Sequence, residues 1–111
     1  MPRVKIYDTW EIPSGAAKIA KAICADYDRR AAAIRKGEGS EQLLEEYRRL
    51  NAAVDAALAE IDEGVRADIL RCMTIGQGYE KSHAHMYLSD KSFYRRKRKV
   101  VYVVAKELSL V

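Results

Sequence analysis

Leu43, Tyr47, Leu50, Val54, Ala57 and Ile61 step alternately by four and three residues, directly after the run Gly37-Glu38-Gly39-Ser40. Side chains at that spacing share one stripe of an α-helix, and no strand can place them on one face. Leu44 and Leu58 widen the stripe. The glycines supply a C-terminal stop for whatever precedes them, Ser40 an N-cap, and Glu41 a favourable charge in the first turn. A helix over 41 to 62 is therefore predicted.

Upstream of the glycines, Ile19, Ile23, Tyr27 and Ile34 recur with Ala20, Cys24 and Ala31 on the same face, behind Ser14 as N-cap. This spacing predicts a helix from about 15 to 36, antiparallel to its successor across so short a loop. The pair is an αα-hairpin, and its unused apolar edge calls for the C-terminal segment or a second copy of the chain. Residues 1 to 13, with Trp10, lack a helical period and are read as an arm.

Past Gly64, the residues Val65, Ile69, Cys72 and Met73 outline a short helix ending at Gly76-Gln77-Gly78. Another short helix is expected over Tyr79 to about Met86. Ser89-Asp90 opens a last one running to about Leu108, with Phe93, Val100, Val104 and Leu108 on one face. The VVYVV stretch at 100 to 104 has strand propensity, but its flanks RRKRK and AKEL suit a continuous helix better. The chain is expected to be all-α: an arm over 1–13, a helical hairpin over 14–63 for oligomerisation or partner contact, and a helix-turn-helix domain over 64–111.

Charge separates the same two parts. Residues 1 to 64 carry ten Lys/Arg and twelve Asp/Glu, whereas residues 65 to 111 carry ten and four. That asymmetry points to a polyanionic partner for the C-terminal part. Nothing approaches the apolar run that a membrane span or secretory signal needs, so no membrane partner is expected and a cytoplasmic setting is. Cys24 and Cys72 lie in helical patterns and are read as reduced, buried thiols.

A short helix, a turn and a longer basic helix have the spacing of a helix-turn-helix. Leu88 plugs the angle between the helices, Ser89 caps the second, and Phe93 anchors it to the core. Lys91, Ser92, Arg95 and Arg96 then face outward, as the residue types that reach base edges and phosphates. Within the run Arg95 to Lys99, successive residues turn by about 100°. Arg95, Arg96 and Lys99 are expected to share the outward face, with Lys97 and Arg98 flanking it and Tyr94 on the shorter helix or the DNA backbone.

The stretch MYLSDKSFYRRKRKVVYVVAKEL resembles the C-terminal end of phage and prophage late-gene transcriptional regulators of the ArpU and RinA type, which are themselves similar to the fourth region of sigma factors. The resemblance spans roughly residues 65 to 111. It implies binding of double-stranded DNA to regulate phage late genes, in a bacterial cytoplasm at the nucleoid. His83 stands where the pattern has a small residue in the first helix, and Tyr87 where a tight turn takes glycine most easily. A longer turn is expected for that reason.

The expected partners are duplex DNA, RNA polymerase and a second copy of the chain. Two other readings stay open: DNA recognition by a phage terminase small subunit, and a helical module whose basic face meets an acidic protein. His83 and His85 are two apart and point to different sides of a helix, so no metal is expected. With no phosphate-cradling loop and no nucleophile motif, neither a cofactor nor enzymatic activity is expected.

Overall fold

The computed structural model describes residues 12–111, and it is all-helical. The N-terminal arm, with Trp10, lies outside the described residues apart from Ile12 and Pro13. Five α-helices follow: α1 (Ser14–Ala25), α2 (Tyr27–Lys36), α3 (Glu41–Leu58), α4 (Arg66–Ile75) and α5 (Asp90–Glu107). Single turns of 3₁₀-helix cover Glu63–Val65, Tyr79–Lys81 and His83–Met86. No helix among the described residues is long and apolar enough to cross a membrane.

The single helix expected over 15 to 36 is two helices, and Pro13 rather than Ser14 precedes the first turn. The break falls at Asp26, with φ −96° and ψ 10°. Ending α1 there leaves carbonyls without intrahelical donors. Arg30, one turn into α2, reaches back and donates from its Nη2 to the Ile23 carbonyl. Its Nε donates to Asn51 Oδ1 of α3 at 2.7 Å, and Asn51 Nδ2 donates to the Tyr27 carbonyl at 3.3 Å. A side chain inserted at the end of a hydrogen-bond ladder is an established cause of a sharp bend.

The α2–α3 connection is as the glycines dictate. Gly37 is left-handed, at φ 68°, and the Glu38 N–H returns to the Ala33 carbonyl at 2.9 Å. Ser40 Oγ accepts from the Leu43 N–H at 3.1 Å. α3 stops at Leu58, short of the expected residue 62, although Ile61 is still buried in the turn that follows.

α2 lies along α3, while α5 lies against both α1 and α3, and α4 packs on α1. One core results. It joins Ala20 and Cys24 of α1, Val54, Ala57 and Leu58 of α3, Val65 and Ile69 around the start of α4, and Phe93, Val100, Val101, Val104 and Ala105 of α5. The core thus crosses the division expected at 63/64, and the inner half of the hairpin is a wall of the same interior as the basic helix. The C-terminal half of the α3 stripe is spent on α5; Leu43 stays 41% exposed at the other end, with Tyr47 and Leu50 half-buried.

Cys24 is buried and Cys72 half-buried, and both thiols are free. Burial pushes the Cys24 thiol up to about 12, with Arg30 and Lys97 opposing weakly. Cys72 should react with a thiol reagent at pH 8 in the native protein, and Cys24 only after denaturation; mass-spectrometric labelling checks this. Val54→Asp places a carboxylate where α1, α3 and α5 meet and should cost more than about 3 kcal/mol. Circular dichroism should then show loss of the whole helical signal, and survival of a folded C-terminal half would contradict a shared core.

Candidate nucleic-acid interface

α5 is set by a cap, an anchor and a brace. The Ser89 Oγ accepts from the Ser92 N–H at 3.1 Å, and Asp90 lies in the first turn beside the positive end of the helix dipole. Phe93 is fully buried, its ring 5.5 Å from Tyr79 and 5.1 Å from Tyr94, edge-on to the latter. Leu88 packs half-buried on the core, and its carbonyl accepts from the Tyr79 hydroxyl.

The segment before the cap differs from expectation. Residues 79 to 86 form two separate 3₁₀ turns, not a helix, so α4 is the α-helix that precedes α5 and residues 76 to 89 intervene. Ser82 is responsible. It is extended, at φ −90° and ψ 159°, and its Oγ donates to the Tyr79 carbonyl at 2.7 Å. His85 Nδ1 lies 2.9 Å from the Ser82 carbonyl. Side-chain bonds of this kind give the backbone an alternative to the helical ladder, and eight residues are too few to resist it.

The segment is pinned instead by Asp68, buried in α4, whose Oδ2 accepts from the Ala84 N–H at 3.1 Å while its Oδ1 pairs with Arg71 at 2.6 Å. Tyr87 adds a hydrogen bond from its hydroxyl to the Gly64 carbonyl, at 3.0 Å. With φ −144°, Tyr87 makes no demand for glycine. The longer turn was expected on the ground that Tyr87 replaces a glycine, and this backbone conformation does not bear that ground out.

Not all the residues expected to face outward do so. Lys91, Tyr94, Arg95 and Arg98 are exposed, and the three cations form a row at i, i+4 and i+7. Ser92 is half-buried and its carbonyl accepts from Arg96. Tyr94 turns its hydroxyl to the Tyr79 N–H at 3.3 Å and carries the Lys97 ammonium 5.9 Å above its ring. Arg96 and Lys99, expected on the outward face, instead lean half-buried towards residues 60 to 62. Arg98, expected at the flank, takes the outward place. Residues Glu60 and Asp62 went unnoticed in the sequence, where only their position just after α3 could have drawn attention.

No protein-family model, no curated protein and no solved structure matches the chain.

Asp68→Ala removes the acceptor of a buried N–H and should cost about 1–3 kcal/mol. Hydrogen exchange should then quicken at Ala84 and Leu88 before it changes in α3; uniform quickening would mean that Asp68 serves the whole core and not this brace.

Proposed function

We propose that the protein binds double-stranded DNA through the outer face of α5, as a transcriptional regulator acting at the nucleoid of a phage- or prophage-bearing bacterium. The observation that carries the reading is the exposed row Lys91, Arg95 and Arg98 on a helix whose opposite face is fixed in the core. Cations on a rigid helix can meet phosphates without first being ordered, and a helix about 27 Å long fits the major groove. Between residues 79 and 99 there are seven Lys/Arg and two Asp/Glu, so the field around the row is positive.

Roles along the row follow from position. Arg95 stands in the second turn, where a docked helix meets base edges, and an arginine there discriminates guanine by roughly 1–3 kcal/mol. Arg98, on the next turn, is placed for a phosphate. A second copy of the chain would double the recognition surface, and the exposed end of the α3 stripe at Leu43, with Tyr47 and Leu50 beside it, is the surface left for it, since Val54 is wholly buried. RNA polymerase is the other partner this reading accommodates.

Fluorescence titration of the full chain on selected and scrambled duplexes, at several salt concentrations, tests the reading. Arg95→Ala should weaken the selected site far more than the scrambled one. Arg98→Ala should weaken both alike and lower the salt slope by about one unit. Absence of duplex binding at low salt would overturn the reading, and equal behaviour of the two variants would remove groove recognition from it.

A further inference from the structure

The basic run of α5 is divided between two surroundings. On one side of the exposed row, the Arg96 guanidinium is committed at every nitrogen: Nε and Nη2 donate to Asp62 Oδ2 at 3.3 and 3.0 Å, and Nη1 donates to the Ser92 carbonyl at 3.0 Å. Lys99 Nζ donates to the Glu60 carbonyl at 3.3 Å and stands 4.0 Å from Glu60 Oε1. Glu60, Asp62, Arg96 and Lys99, with Ile61 and Arg95, line one shallow cleft. The cations are the inner partners, since the side chains of Arg96 and Lys99 are 27% and 29% exposed while those of Asp62 and Glu60 are 63% and 56% exposed. A polyanion approaching this edge therefore meets carboxylates first.

We infer that Asp62 and Glu60 are specificity-determining residues, which occupy Arg96 and Lys99 in place of phosphate and so suppress sequence-independent binding along one edge of α5. The inference rests on the proposed binding of a polyanion by this helix. An exposed ion pair adds little to stability, so two such pairs are a weak means of holding a helix already anchored by Phe93 and three valines. Against a polyanion they weigh more. Sequence-independent affinity grows with each cation that can displace a counterion, and two withheld cations lower it without touching the exposed row. Discrimination rises because the contacts withheld are those that every sequence offers equally.

The test uses the full chain and four proteins: unmodified, Asp62→Asn, the pair Asp62→Asn with Glu60→Gln, and Glu38→Gln, which removes the same charge in the α2–α3 connection far along the sequence. Heparin is the first probe, because it is a polyanion without base pairs, and a scrambled duplex the second. Asp62→Asn should bind on the order of five- to tenfold more tightly at 0.1 M salt, and each released cation should steepen the salt slope by about 0.9. The double variant should exceed the single one, and Glu38→Gln should match the unmodified protein. Heparin affinity and slope in Asp62→Asn equal to those of Glu38→Gln would overturn the inference. So would a fall in melting temperature with no gain in affinity, which is the outcome for a purely structural pair. Should the gains appear on heparin while no protein binds duplex, the shielding of Arg96 and Lys99 from polyanions stands, and the proposed DNA binding falls together with the role in sequence discrimination.

Discussion

Burial of the inner face of α5 is what the rest of the molecule depends on. A helix carrying five cations in a row is opposed by its own charge, since like pairs three or four residues apart cost about 0.2–0.5 kcal/mol each. Against this stand Phe93, Val100 and Val104, all fully buried, at roughly 1.5–3 kcal/mol apiece. The apolar term is several times the larger. α5 is therefore a helix by virtue of α1 and α3, and its basic surface has a fixed direction for the same reason.

The hairpin is oriented by a different kind of contact. Arg30 is only 3% exposed, and burial pulls its guanidinium below its usual pKa, with Asp26 opposing. Taking such a group out of water is unfavourable unless its donors are met. Here they are met by Asn51, the Ile23 carbonyl and, at 3.8 Å, Asp26. One side chain thus ties the end of α1, the start of α2 and the middle of α3. Asp68 plays the matching part on the other side of the core, where the backbone it holds is a turn.

Local signals were mostly legible, the cap expected at Ser14 being an exception. Gly37, Ser40 and Ser89 act within a few residues of themselves, and the connection and both caps follow the sequence. Phe93 was legible too, because it shares a helical face with Val100 and Val104 and so has one apolar direction to take. The break at Asp26 was not, since the periodicity of 15 to 36 is continuous and the cause is Arg30 meeting Asn51 of another helix. The 3₁₀ turns depend on Ser82 being buried, which its neighbours in sequence do not reveal. Arg96 and Lys99 were misplaced because their partners lie 34 and 39 residues away. Helical periodicity says which residues share a face, and only the packing says what stands opposite.

The order of the helices around the core has a consequence for the birth of the chain. α1 and α3 precede α5, yet the surface they bury is supplied by α5, more than forty residues after Val54 in the case of Val100 and Val104. At a synthesis rate of about 5–20 residues per second, the apolar face of α3 waits on the order of 2–10 s for its cover, and that of α1 longer still. The α2–α3 pair is closed by a short loop and needs nothing later, so it is the part able to form during that interval. What remains open until the end is the face that α5 will cover, and a ribosome-bound chain at that stage offers a holdase an apolar surface that the finished protein no longer has.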